Sequence, residues 1–428
     1  MKRYFVLLLH VLPLGGIRAQ ENQTLTLTPR QIEARFLEQN LSLIGQKLEI
    51  EKADLQIREA KVWENPELAI SSVNLWSTPG QREEEPIPGI WGNAGKNTQF
   101  SVELSQMIQS AYKRRKLVAR ERANRQVVLL EFDETLRSLR TELRQALIRV
   151  VYLQDLLRES RSQQLKLQEV TEAYRKQVQL GNLPKSELIR LQASAFEIEA
   201  EMLEEQSELN EWMCALRVLL NVDSSAGIEI GPAPLILLNP DEITPGSLES
   251  EALTFRSDLL LAEQMTDYFA KNIRYEKAQR LPDFTVSAAY DRRGGVWKDF
   301  VGFGVSAPLP LFNRNQNNIR SAKISYDQSL LDVRQLQNLV KNEVTESYRN
   351  YRNAYEFYIR ANGSELFGEL DGMLETYTRN LLARNIGMLE YMDFMEVFRN
   401  GKKTLLLARK NVEQTFEELQ FTIGIPLK

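Results

Sequence analysis

With 428 residues, 43% hydrophobic and 26% charged side chains and a formal net charge of −4, the chain has room for two or three domains and carries much polar surface. A single histidine, His10, and a single cysteine, Cys214, exclude an intramolecular disulfide and leave little for Ser-His-Asp or Cys-His catalysis. Nothing clusters positive charge as a nucleic-acid surface would, and past the N-terminus no stretch reaches the ~18 apolar residues of a transmembrane helix, so a membrane span would need strands.

The first element is an export signal. Lys2 and Arg3 precede the apolar run Tyr4 to Leu14, and Ile17-Arg18-Ala19 sets a small residue before a cut at Gln20. A buried first helix fits less well, because the run is short, opens the chain and is flanked by positive charge. Removing residues 1–19 takes away His10, Lys2, Arg3 and Arg18, which moves the net charge from −4 to −7.

The remainder repeats itself. Ala34-Arg35-Phe36-Leu37 through Leu41 returns as Ala252-Leu253-Thr254-Phe255 through Leu259, a shift of 218 (252 minus 34). Ala215 through Asn221 is answered by Glu418 through Gly424, a shift of 203. Such a period is far longer than a solenoid repeat and predicts two copies of one large unit, 20–230 and 249–428. A Pro/Gly-dense linker at 231–248 joins them.

Each copy opens with helix and then shows two segments of period two. In the first they are 66–77 and 98–107, where Phe100, Val102 and Leu104 alternate with Ser101, Glu103 and Ser105. In the second they are 282–291 and 299–309, with Phe284, Val286, Ala288 and Tyr290 on one face. Alternation over about 9 to 11 residues fits transmembrane strands better than the alternative, a half-buried soluble sheet flanked by helices. Ser77–Lys96 and Arg292–Lys298 read as loops, with Trp91 and Trp297 at interfacial positions. Four strands cannot close a barrel, so a membrane reading requires further copies of the chain.

Long helices follow each strand pair. Residues 111–180 hold no proline or glycine, and Leu129, Phe132, Leu136, Leu139, Leu143, Ala146, Val150, Leu153 and Leu157 alternate spacings of 3 and 4. That is a heptad seam, and it allows one helix of about 70 residues, roughly 105 Å long. Further seams run from Leu188 to Leu219, with Cys214 inside the helical pattern and buried-looking, and from Tyr326 to Tyr358. Gly181-Asn182-Leu183 and Asn385-Ile386-Gly387 interrupt the helical pattern and read as the turns of two helical hairpins, with tips near 181–184 and 384–388.

Chemistry-bearing clusters are few. No phosphate-cradling glycine loop follows a strand. Glu197, Glu199, Glu201, Glu204 and Glu205 read as a solvated face, or else as an acidic lumen lining. Met388, Met392 and Met395 form an i, i+4, i+7 stripe, which fits core packing or a soft-metal relay, with core packing favoured. Glu187 and Glu390 stand at matching places after the two tips, with Asp393 one turn beyond Glu390. At helix starts such carboxylates are favoured by the helix dipole. No cofactor site and no metal site are expected.

Taken in order, Ala60-Lys61…Asn65-Pro66-Glu67-Leu68, Gly181-Asn182-Leu183-Pro184-Lys185-Ser186-Glu187-Leu188, Ala307-Pro308-Leu309-Pro310-Leu311-Phe312-Asn313-Arg314 and Asn385-Ile386-Gly387-Met388-Leu389-Glu390-Tyr391 resemble the outer-membrane efflux protein (TolC) family, nearer its metal and cation efflux branch. The resemblance implies a mainly α fold with a small β part. Three chains would share one 12-stranded β-barrel in the outer membrane and a coiled-coil α-barrel through the periplasm. It implies a homotrimer and a passive conduit rather than an enzyme. A periplasmic adaptor and an inner-membrane RND-type pump would be its partners, docking at the tips formed by Gly181, Asn182, Leu183, Asn385, Ile386 and Gly387. It also implies a pore gate at the periplasmic tip: two acidic residues three apart form rings, a spacing that Glu390 and Asp393 match, with Glu187 and Arg384 beside them. Capping and ring formation remain compatible readings of these acids. The lipid-bearing N-terminal cysteine of several branches is missing, so anchoring would rest on the barrel in the outer-membrane lipid. A periplasmic coiled-coil scaffold or adaptor is the alternative; it would need a lipoyl-like β domain, and the sequence shows no β-rich block.

Overall fold

The computed structural model describes residues 24–74, 99–224, 227–231, 235, 237–292, 297 and 299–427. The signal peptide, Leu75-Trp76, the 77–96 loop with Trp91, most of 292–298 and part of the linker lie outside the described residues.

The order of elements runs twice. A short strand β1 (Thr24–Leu27) precedes helices α1 (Pro29–Gln39) and α2 (Leu41–Glu59), strands β2 (Glu67–Asn74) and β3 (Gln99–Ile108), and helices α3 (Lys113–Gln179) and α4 (Lys185–Leu220). The second pass gives β4 (Gly227–Ile230), α5 (Pro245–Phe255), α6 (Ser257–Gln279), β5 (Phe284–Asp291), β6 (Phe300–Ser306), α7 (Gln316–Asn362), α8 (Leu366–Leu382) and α9 (Met388–Ile423). One difference is that α3 is unbroken, whereas its counterpart is split at Gly363 into α7 and α8. The chain divides into two compact units that each take segments from both repeats.

One unit comprises Met1–Asn40, Leu143–Ile236 and Ser364–Lys410. Here β1 and β4 pair in parallel, Thr24 opposite Gly227 and Leu27 opposite Ile230. Asn40 closes α1 and donates its side-chain amide to the Leu219 carbonyl at 2.9 Å, which satisfies an orphan carbonyl near the end of α4. The main core joins α3, α4, α8 and α9 through Leu167, Val170, Tyr174, Leu191, Ile198, Leu381, Tyr391 and Met395. Burying each such apolar side chain is worth about 1.5–3 kcal/mol. A second cluster stacks Tyr377 on Phe394 with ring centroids 4.1 Å apart. Gly401 lets α8 come close, since a Cβ there would lie 2.9 Å from Leu370 Cδ1.

The other unit comprises Leu41–Glu142, Leu237–Gly363 and Asn411–Lys428. Its core gathers Leu248, Val340, Val344, Tyr351, Phe416 and Leu419. Arg256 is buried and pairs with Asp258 at 2.8 Å and Glu343 at 2.6 Å, so its charge is compensated on both sides. Gly424, at φ +87°, passes so near that a Cβ would lie 3.0 Å from Arg256 Cα.

The same unit holds an antiparallel sheet in the order β2-β3-β5-β6. Its register decides what each face carries. Ile70 opposes Val102, Val102 opposes Tyr290 and Tyr290 opposes Val301; one step along, Leu68, Leu104, Ala288 and Phe303 are aligned. Side chains alternate along a strand, so these residues share one face, and Val286, Val305, Ile108 and Phe284 extend it. Gln106 is its amide member, bonded to the Glu64 and Met107 carbonyls. The opposite face carries Glu67, Ser71, Ser101, Glu103, Ser105, Thr285, Ser287, Gly302, Gly304 and Ser306, together with Ala69, Ala289, Asp291, Met107 and Phe300. No helix among the described residues covers the apolar face, where Phe303 is 86% and Leu68 62% exposed. β2 and β6 are its two open edges among the described residues.

The long helices depart from the predicted seams in one respect. Leu143, Ala146, Val150 and Leu153 are buried, but Leu129, Phe132, Leu136, Leu139 and Leu157 are only half-buried, and Ala123, Val127 and Leu156 are buried instead. A straight helix drifts ~20° per heptad against a strict 3.5 repeat, so one stripe cannot stay inside over four heptads. Cys214, which its place inside a helical pattern predicts to be buried, is exposed. It lies two residues before Leu216 and so falls off the buried stripe.

Candidate functional site

The two hairpin tips belong to one compact unit and are built alike. At the end of α3 the Gly181 N–H donates to the Val178 carbonyl at 3.0 Å and the Asn182 N–H to the Gln177 carbonyl at 2.9 Å. At the end of α8 the Arg384 N–H donates to the Leu381 carbonyl at 3.0 Å and the Asn385 N–H to the Asn380 carbonyl at 2.8 Å. Both are Schellman closures, which require a left-handed residue. Gly181 supplies it at φ +75° and Arg384 at φ +59°. The asparagine amides repeat the pattern: Asn182 Nδ2 donates to Gln177 Oε1 at 2.9 Å and Asn385 Nδ2 to Asn380 Oδ1 at 3.3 Å. Leu183 and Ile386 then fold back against the core, while Gly181, Asn182, Asn385 and Gly387 stay exposed.

The acids sit where the new helices start. Glu187 lies in the first turn of α4 and Glu390 in the first turn of α9, each placed to interact favourably with its helix dipole. On α9, Met388, Tyr391 and Met395 face the core, whereas Glu390 and Asp393 are exposed on the other side, ~60° apart around the helix axis. Among the described residues neither carboxylate has an ion-pair partner. Arg384 binds neither of them; its Nη2 donates to Gln177 Oε1 at 2.9 Å, so the Gln177 amide oxygen joins one tip to the other. Beside this link Tyr174 is buried, and burial foremost, then the Glu187 carboxylate, pushes its phenol up while Arg384 opposes.

Sequence reading had not singled out Tyr174 or Gln177, because their role depends on contacts with residues as much as 207 positions away. The methionine stripe packs inward, Met388 and Met395 buried and Met392 half-buried, as core side chains. Of the α4 acids, Glu197, Glu199 and Glu204 are exposed, and Glu201 pairs with Arg399 at 3.5 Å. Glu205 departs from the solvated face expected of it. It is buried and accepts from Ser160 Oγ at 3.1 Å, because α4 turns that position toward α3.

The family profile described as "Outer membrane efflux protein" matches residues 248–358, which span α5, α6, β5, β6 and most of α7. The outer membrane protein VceC from Vibrio cholerae aligns with a TM-score of 0.71 at 16% identity over 92% of this chain and 95% of its own. The CmeC outer membrane channel of Campylobacter jejuni gives 0.74 at 13% over 92% and 85%, and CusC gives 0.69 at 18% over 93% and 92%. These identities establish a shared fold. The metal and cation branch, toward which the sequence motifs lean, is one of several branches of the family. No curated protein matches the chain by sequence.

Proposed function

We infer that the protein is the outer-membrane channel of a tripartite efflux system, a trimer giving passive passage from the periplasm to the exterior. The observation that carries this reading is the four-stranded sheet with an uncovered apolar face, a mostly small and polar opposite face and two open edges. An apolar patch of that extent needs a non-aqueous neighbour, and an open edge is not tolerated in lipid. Three copies joining β6 to β2 satisfy both demands with twelve strands, small residues such as Gly302 and Gly304 facing a lumen. No described helix is long and apolar enough to cross a membrane, which leaves the strands to do so. A pore-free periplasmic scaffold would leave the apolar face in water.

The tips supply the rest of the reading. Exposed Leu180, Leu382, Leu389 and Ile189 flank the two turns and offer apolar contact to a periplasmic adaptor and, through it, an inner-membrane pump. Under threefold symmetry the unpaired Glu390 and Asp393 become two stacked rings of carboxylates at the entrance. Such rings draw cations. Planar-bilayer recording tests the reading. Glu390→Gln with Asp393→Asn should leave an open, assembled channel with lower cation selectivity and weaker block by trivalent cations. Unchanged selectivity and block would assign these acids to helix capping alone.

A further inference from the structure

Between the strands and the long helix lies a cleft that the channel reading does not use. It has a volume of about 290 Å³, and Trp63, Glu64, Met107, Tyr112, Arg114 and Arg115 are among its lining residues. The Arg114 guanidinium stacks on the Trp63 ring at 3.8 Å, and Arg115 stands 5.6 Å from the Tyr112 centroid. Arg114 Nη1 is buried yet has no hydrogen-bond partner among the described residues. A buried cationic donor left open is costly and marks a place where an acceptor belongs.

Three further facts point to an anion with a cationic neighbour. α3 opens on Lys113-Arg114-Arg115-Lys116, with no acid in its first turn, although the helix dipole disfavours cations there. Asp283 neutralises Lys113 at 2.8 Å, but among the described residues neither arginine in the cleft has a carboxylate partner. Glu64, exposed at the same cleft, is not paired with either. Ala111 and Tyr112, at φ +54° and +56°, are consecutive non-glycine residues in left-handed backbone. This geometry turns the chain sharply from β3 into α3 and sets Tyr112 outward, 71% exposed.

We propose that this cleft binds the headgroup of a glycerophospholipid bearing a primary ammonium, such as phosphatidylethanolamine. The proposal rests on the channel reading, which sets the strand–helix junction at the periplasmic leaflet. Arg114 and Arg115 hold the phosphate, a group that guanidinium forks match in geometry. The Glu64 carboxylate takes the ammonium, and Trp63 and Tyr112 lie at headgroup depth, where amphipathic aromatic rings belong.

Delipidated trimer titrated with single lipids and followed by native mass spectrometry provides the test. Phosphatidylethanolamine should be retained at one molecule per chain, at least tenfold better than phosphatidylcholine, whose trimethylated nitrogen offers Glu64 no N–H donor. Arg115→Gln, at an exposed side chain, should weaken retention of both lipids about tenfold, and Arg114→Gln at least as much. Glu64→Gln should erase the preference between the lipids and leave phosphate-dependent retention. Equal retention by wild type and Arg115→Gln overturns the site. Saturation by inorganic phosphate at the same concentration overturns the lipid assignment in favour of a free-phosphate site. Outer-membrane fractionation and single-channel current, measured on the same preparations, judge the channel reading separately. A conducting outer-membrane trimer without lipid preference defeats only this inference.

Discussion

Gly181 and Arg384 occupy the same position in two copies of one turn, 203 residues apart (384 minus 181), and both adopt left-handed backbone. Glycine does this freely, whereas an L-residue with a Cβ gives up roughly 1 kcal/mol. Arginine recovers part of that through its bond to Gln177, which links the tips.

Substitution should therefore act unequally at the two positions. Gly181→Ala should destabilise by about 1 kcal/mol in thermal unfolding, with no steric clash contributing, since no atom lies within 4 Å of the Cβ it adds. Arg384→Gly should stay within about 0.5 kcal/mol of wild type, as relief of backbone strain offsets one lost exposed hydrogen bond. Hydrogen exchange around Gln177–Asn182 should nonetheless quicken in Arg384→Gly. Unchanged exchange there would mean that the tips are held independently of the arginine.

Much of this was legible in the sequence, for reasons that differ by element. The 67 residues of α3 were readable because nothing between Lys113 and Gln179 breaks a helix. The sheet faces were readable from period two, and the hairpin turns from Gly181 and Gly387. The strained Arg384 was within reach too, since the 203-residue shift lays it on Gly181, but only by aligning the repeats at the tips themselves. What remained hidden depends on packing between distant segments. Glu205 looks like its solvated neighbours, and nothing local shows that α3 covers it; Cys214 lies two residues off a stripe whose drift the sequence does not reveal. The division into compact units cuts across the sequence repeats for the same reason.

Glu205 should make the stability of the helical hairpins depend on pH. Burial foremost raises its carboxyl pKa, the Ser160 hydroxyl and Lys403 oppose, and Glu201 and Glu208 reinforce the rise. With the folded pKa above the unfolded one, the contribution to stability is full below the ordinary carboxylate value and is lost as pH climbs through the raised value. Glu205→Gln should thus be more stable than wild type at pH 8 by on the order of 1 kcal/mol, the difference shrinking as pH falls toward ~4. Thermal melts at the two pH values decide; a difference independent of pH would show that the carboxyl titrates normally.

The two faces of the sheet should respond oppositely to charge. Phe303→Arg, on the apolar face, should cost about 2–4 kcal/mol if that residue lies near mid-membrane, and should lower the yield of assembled protein in the outer membrane. Thr285→Lys, on the polar face, should assemble normally and shift ion selectivity toward anions. Equal tolerance of both changes would return the sheet to water.

The account turns on three chains closing one barrel, because β2 and β6 are edges that lipid does not tolerate. The most direct measurement is the mass of the detergent-solubilised particle taken from outer membranes, with single-channel recording of the same fraction. A conducting particle of three chains, each close to the 49.4 kDa of the full sequence less its signal, is the expected result. A conducting single chain, or a trimer that remains outside the outer membrane and passes no current, would contradict it.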